Sequence, residues 1–289
     1  MPFNTILRHA NCGTIYNKKA SSVPFIVGKR RGATVSSATR IIDALLFDCD
    51  GVLVDTERDG HRISFNEAFR RKGLDHTWDI ELYGELLEIG GGKERMTKYF
   101  KDVHHLEPFK SMTVLEDQKR LVQDLHTLKT DIFMELVEKG AMPLRPGVRR
   151  LMGEAIAAGV PIAVCSTSNE RAVSTIVKVM LGPEVANLMR VFAGDIVPKK
   201  KPDPAIYLLA AKEMGLNPER CVVIEDSRIG LRAAKAAGMT CMVTKSSYTQ
   251  GEDFTEADAI YDCIGEENEK RFSLTDLEMM VAGKQSLKA

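Results

Sequence analysis

LLFDCDGVLVDTE, residues 45–57, sets four acidic side chains, Asp48, Asp50, Asp55 and Glu57, directly behind an apolar run. The run ALLF, residues 44–47, predicts a buried strand. Asp48 and Asp50 then leave its carboxyl end on the same side, because side chains two apart share a face. Two unit charges about 4 Å apart repel by about 4 kcal/mol at an effective dielectric near 20. That repulsion is large enough to require a cation between them. Magnesium fits, as a hard ion that takes oxygen ligands and keeps waters which a substrate phosphate can replace.

Further along, short apolar runs recur as VPIAVC (160–165), RVFA (190–193), CVVIE (221–225), TCMVT (240–244) and DAIY (258–261), with helical patterns over 169–181, 203–214 and 228–237. Nearly continuous apolar strands alternating with helices predict a doubly wound, Rossmann-like α/β core, its parallel sheet covered on both faces. About a hundred residues between the first two strands show only helical spacing, over 61–72, 79–89, 92–103 and 115–138. They predict a four-helix bundle over 58–142, inserted into a core made of 43–57 and 143–289. One linker falls near Asp55 to Arg58 and the other at PLRPG (143–147), stiffened by its prolines.

Ligands of such sheets bind beyond the carboxyl ends of the strands. Three strand ends carry polar groups there: DCD after the first, CST from Cys165, and Glu225–Asp226 closing VVIED. Lys201 lies in KKKPDP between the second and third. Acids for a metal, a hydroxyl and a lysine in this order suggest phosphoryl transfer through a covalent aspartyl phosphate. The commonplace alternatives are solvated loop acids, a solvated lysine run at 199–201, and TSN (167–169) as a simple helix cap.

The block DCDGVLVDT, the strand-end Ser166, Lys201 followed by PDPAIY, and VIEDSRIGLRAAKAAGM (223–239) resemble, in order, the four motifs of the haloacid dehalogenase superfamily. The helical insertion over 58–142 resembles the four-helix cap of that superfamily, and DGHRISFNEAF (59–69) and GGGKERM (90–96) resemble its CbbY branch. The resemblance implies Asp48 as nucleophile, Asp50 as acid and then base, Ser166 and Lys201 on the transferring phosphoryl, and Mg2+ held by Asp48, the carbonyl of Asp50 and Asp226, with Glu225 close by. It implies further that Gly91, Gly92 and Lys93 meet a second phosphate, while Asp55, Thr167, Ser168 and Asn169 contact the substrate from the core. His61 and Tyr83 are additional candidates, although His61 stands thirteen residues after Asp48, one more than in relatives. The implied enzyme is a phosphatase of sugar bisphosphates, with xylulose 1,5-bisphosphate, a misfire product of Rubisco, as the leading substrate. Within the fold, a β-phosphoglucomutase type would return the phosphoryl to sugar, and a non-catalytic phospho-binding protein would have no need of Asp50.

The formal charge is zero, but residues 1–42 hold seven basic side chains and no acid, so the remainder carries 33 basic against 40 acidic residues. An acidic body excludes a nucleic-acid binder built on phosphate contacts. The basic, Ser/Thr-rich leader has the composition of an organellar transit peptide with VSSATR (35–40) near its end, which points to the chloroplast stroma ahead of the mitochondrion. No apolar run spans a bilayer. The six cysteines form no CxxC pair and mostly adjoin apolar runs, as buried thiols do. A small sugar phosphate is the expected partner, with the chain a monomer.

Overall fold

Ala44, Leu45, Leu46 and Phe47 have no exposed surface because the strand they form, β1, lies in the middle of the sheet and is covered on both faces. The computed structural model describes residues 40–89 and 92–288. In it β1 (Ala44–Phe47), β2 (Ile162–Ser166), β3 (Met189–Ala193), β4 (Cys221–Glu225), β5 (Thr240–Thr244) and β6 (Ala259–Tyr261) make one sheet in the order β3-β2-β1-β4-β5-β6. Every pairing is parallel. Leu45 faces Ile162 on one side and Val222 on the other, so the chain order reverses at β1. A cleft at the carboxyl edge between β2 and β4 follows from that reversal.

The expected doubly wound parallel sheet is therefore the observed fold. Strand β2 begins two residues inside its apolar run, since Pro161 has no N–H to give and contributes only its carbonyl, which accepts from Leu45 N at 3.0 Å. Between β1 and β2 come α1 (Arg62–Arg71), α2 (Ile80–Leu87), α3 (Gly92–Asp102) and α4 (Leu115–Glu138). These helices bury an apolar cluster of their own around Phe65, Phe69, Trp78, Phe100 and Leu125. The two ends of this segment run side by side: Val54 bridges Leu144, and Arg145 N donates to Leu53 O at 2.8 Å.

The remaining helices are α5 (Val148–Ala158), α6 (Glu170–Ile176), α7 (Pro183–Ala186), α8 (Ala205–Met214), α9 (Arg228–Ala236) and α10 (Leu274–Lys288). Helices α5, α7 and α10 were not expected from the sequence. The helix expected over 61–72 starts with a wide turn at Glu57–His61, and that over 169–181 ends in another at Val177–Leu181, each with hydrogen bonds one residue longer than in an α-helix. Ala163, Cys165, Tyr207, Val223, Leu231 and Cys241 belong to the main core beneath the cleft. Among the described residues no helix is long and apolar enough to cross a membrane. The expected leader, apart from residues 40–42, lies outside the described residues.

Candidate active site

The end of β1 is fixed by its neighbour, for Asp48 N donates to Ile224 O of β4 at 3.0 Å. This register brings the carboxylates of Asp48, Glu225 and Asp226 together, with one oxygen of each within 4.8 Å of the others, and all three residues buried. Lys201 lies against them. Its Nζ donates to Asp48 Oδ1 at 2.6 Å, to Glu225 Oε1 at 2.7 Å and to Cys165 O at 2.9 Å. The Tyr207 hydroxyl donates to the same Glu225 oxygen.

The Lys201 ammonium, with the Arg145 guanidinium acting on Asp226, does not balance three buried acids. Burial, only partly offset by Lys201 and reinforced by Glu225 and Asp50, pushes the Asp48 carboxyl up to about 7. Burial and the charges of Glu225 and Asp48 hold Asp226 well above the usual carboxylate range. Burial works against the Lys201 charge, but Asp48 and Glu225 outweigh it and hold the ammonium above its ordinary value. Such a group of oxygens, short of positive charge, could hold a hard divalent cation. Cys49, between the two leading acids, is buried, and burial with the charges of Asp50 and Asp48 raises its thiol far above the reactive range.

Two glycines make room for this cluster. At Gly51, φ is +79°, and a Cβ would stand 1.9 Å from Asp226 Oδ2. At Gly230, in the first turn of α9, a Cβ would stand 2.0 Å from the Glu225 carboxyl. Arg145, from the second linker, donates to the carbonyls of Gly51, Thr244, Lys245 and Asp262, so one guanidinium gathers three loops behind the acids.

Asp50 is half-buried and held by hydroxyls. Thr56 Oγ1 donates to its Oδ1 at 2.6 Å, while Ser166 Oγ, at 3.3 Å, and Ser168 Oγ donate to its Oδ2. Among the described residues three hydroxyls orient the carboxyl toward the cavity, an arrangement suited to passing a proton. Asp55 accepts from Ser247 N at 3.2 Å and from Ser247 Oγ, which ties the first linker to the loop after β5.

Asp48, Asp50, Asp55, His61, Ser166, Thr167, Ser168, Lys201 and Asp226 all line one cavity of about 720 Å³. The other expected residues stand elsewhere. Glu225 is behind the wall, its Oε1 engaged by Lys201 and Tyr207 and its Oε2 accepting from Asp226 N at 3.2 Å. Asn169 caps α6, accepting from Ala172 N at 3.3 Å. Tyr83 is fully buried among the helices, with its hydroxyl on Glu57 Oε2 at 2.5 Å. Gly92 opens α3 against His126, Lys93 is exposed beside it, and Gly91 lies outside the described residues.

Other polar groups around the cavity were missed by sequence reasoning. Glu57 lines it, and burial, opposed by the Tyr83 hydrogen bond and by Arg95, raises its carboxyl. Arg95 donates to Tyr83 Oη at 3.1 Å. Lys129, in mid-α4, donates to His61 Nδ1 at 2.9 Å. The helical spacing puts position 129 on the buried stripe, four after Leu125 and three before Ile132, but a lysine there reads as solvated, whereas Thr56 stands in the DT of the first motif.

A family model described as haloacid dehalogenase-like hydrolase matches residues 42–238. The chain is 61% identical to the CBBY-like protein of Arabidopsis thaliana, over 83% of this chain and 74% of that one. It is 40% identical to protein CbbY of Cereibacter sphaeroides, over 78% of this chain and 94% of that one. A crystal structure of a CbbY variant from Rhodobacter sphaeroides in complex with xylulose-1,5-bisphosphate superposes with a TM-score of 0.65 at 38% identity, covering 82% of this chain and 99% of that one. The chain belongs to the haloacid dehalogenase-like hydrolases, in their CbbY-like branch.

Proposed function

We propose that this hydrolase is a magnesium-dependent phosphatase that cleaves a sugar bisphosphate, xylulose 1,5-bisphosphate foremost, through an aspartyl phosphate on Asp48. The observation that carries the reading is the meeting of three buried carboxylates, from Asp48, Glu225 and Asp226, with the single ammonium of Lys201 at the ends of β1 and β4. The complex of the CbbY relative with xylulose-1,5-bisphosphate supports the substrate.

The donor set fits magnesium, because every available ligand is a hard oxygen and the charge in the cluster is unbalanced without a cation. Asp48, Asp226 and the carbonyl of Asp50 would hold it, with Glu225 supporting from behind. When bound, Mg2+ would neutralise phosphoryl charge and help align the ester with Asp48.

In the first half-reaction an Asp48 carboxylate oxygen bonds to phosphorus and the ester P–O bond breaks. Asp50 gives its proton to the departing alkoxide. In the second, water attacks the acyl phosphate while Asp50 takes its proton, so inorganic phosphate leaves and Asp48 is restored. Lys201 and Ser166 stabilise the charge on the phosphoryl oxygens. Asp55, Thr167, Ser168 and His61 would face the sugar, with Asn169 and Tyr83 setting Ser168 and Glu57 in place. Gly92 and Lys93 at the start of α3, with Gly91 preceding them in the sequence, would meet the distal phosphate. The composition of residues 1–42 supports a plastid location.

The test is phosphate release by the purified chain from xylulose 1,5-bisphosphate and from sugar monophosphates, with Mg2+ and with a chelator, beside Asp48→Asn. Magnesium-dependent release that Asp48→Asn abolishes is expected. Appreciable turnover by Asp48→Asn would overturn the nucleophile assignment, and a second phosphorylated sugar as product would indicate a mutase.

A further inference from the structure

The loop after β5 closes on itself. Ser246 N donates to Thr249 Oγ1 at 2.9 Å, and Gln250 Nε2 returns to Ser246 O at 3.0 Å. Its outer corner carries Ser247, tied to Asp55, and Tyr248. The Tyr248 ring leaves the sheet half of the molecule and packs into the apolar cluster of the helical segment, edge-on to Tyr83 at 5.6 Å. Gly84, in the middle of α2, lies beneath it. A glycine there costs about 1 kcal/mol against alanine in helix propensity. A Cβ at 84 would stand 3.5 Å from the ring, so alanine fits, but any side chain that continues past Cβ meets the ring.

Gly84 and Leu87 of α2, with Glu88 just after it, face Tyr248, Thr249 and Glu252 around the same cavity that holds the acids. The Tyr248–Gly84 contact is thus a place where the helical wall and the sheet wall of the cleft touch. The Tyr248 hydroxyl is buried facing the Arg62 guanidinium without a hydrogen bond of normal geometry among the described residues, so the ring carries most of the contact.

We infer that Tyr248 is a positioning residue, a clasp that holds α2 over the cleft and so sets the preference for sugar phosphates over small phosphomonoesters. The inference rests on the phosphatase reading. A large polyhydroxy ester needs the assembled cleft to exclude water and to align its reacting bond, whereas a small activated ester is held chiefly by the acids and Lys201.

The experiment compares hydrolysis of xylulose 1,5-bisphosphate and p-nitrophenyl phosphate by the full chain and four variants, with thermal unfolding as the check on folding. Tyr248→Ala should lower kcat/KM on the bisphosphate by about 10- to 100-fold, mainly through KM, and change the small ester little. Gly84→Leu should reproduce that split from the opposite wall, while Tyr248→Phe and Gly84→Ala should match the unaltered chain on both esters. Equal fractional losses on the two esters, normal bisphosphate turnover by folded Gly84→Leu, or a loss in Tyr248→Phe equal to that in Tyr248→Ala would each overturn the clasp. If the unaltered chain hydrolyses neither ester, the phosphatase reading itself fails, which is a different outcome from an active chain indifferent to these variants.

Discussion

Lys201 Nζ stands 2.6 Å from Asp48 Oδ1 and 2.7 Å from Glu225 Oε1, so its ammonium bridges the ends of two neighbouring strands. Breaking a buried pair by removing one partner costs far more than the pair contributes, since the charge left behind has lost its water. Lys201→Met should therefore lower metal-free stability by about 3–5 kcal/mol, and it should abolish turnover. Denaturant unfolding with and without Mg2+ checks this. A divalent ion in the cluster should recover part of the loss, and stability unchanged in the metal-free variant would show that Lys201 does not balance these acids.

The elevated Asp48 carboxyl fixes the direction of a pH effect. Its folded value of about 7 lies above the unfolded value near 3.9, so the metal-free fold binds more protons than the unfolded chain over that interval. Stability from this group is fully present below about pH 4 and is lost as pH rises through about 7. Magnesium needs the ionised form, so its binding should release protons. The half-saturating Mg2+ concentration should rise about tenfold per pH unit below 7 if one proton is displaced, and more steeply if Asp226 also releases one. Calorimetry in two buffers of different ionisation enthalpy measures the release, and no proton release at pH 6 would refute the shift.

Gly51 approaches Asp226 so closely that its hydrogen cannot be replaced by a methyl group without moving the acid. Its φ of +79° adds backbone strain for any L side chain. Gly51→Ala should weaken Mg2+ binding at least tenfold while lowering stability by about 1–3 kcal/mol. Unaltered metal affinity would mean that the turn does not shape the acid cluster.

The strand-end positions were legible because an apolar run fixes where a strand stops, and the next residue then lies at the cleft. Asp48, Ser166 and Asp226 were placed along the cavity in this way. Arg145 was not, because its partners are four backbone carbonyls, and a carbonyl leaves no trace in the sequence. PLRPG announced a turn through its prolines, and the arginine between them gave no separate signal. Helix α10 was missed for a related reason: Leu277 and Val281 are its fully buried positions, too few to mark a periodic face. Tyr83 was singled out as a substrate contact, but it is fully buried behind Glu57 and Tyr248, which line the cavity.

Lys129 shows how a buried helix residue reaches the site at one remove. Burial brings its ammonium down to about 8, so it remains a cation and a donor at neutral pH. It therefore leaves Nδ1 of His61 as acceptor and puts the ring proton on Nε2. Burial, with Lys129 and Arg95 adding to it, keeps the His61 imidazole far below its ordinary value, and the ring also lies 4.1 Å from that of Phe133. Lys129→Met removes both the proton donor and the nearby positive charge. Because burial remains, the His61 value should rise without reaching that of an exposed histidine, and the tautomer should no longer be fixed. Histidine NMR across pH 4 to 9 reads both effects, and kcat on the bisphosphate should fall while p-nitrophenyl phosphate turnover changes less. A His61 titration identical in the two proteins would show that Lys129 serves only to pack against Phe65 and Phe133.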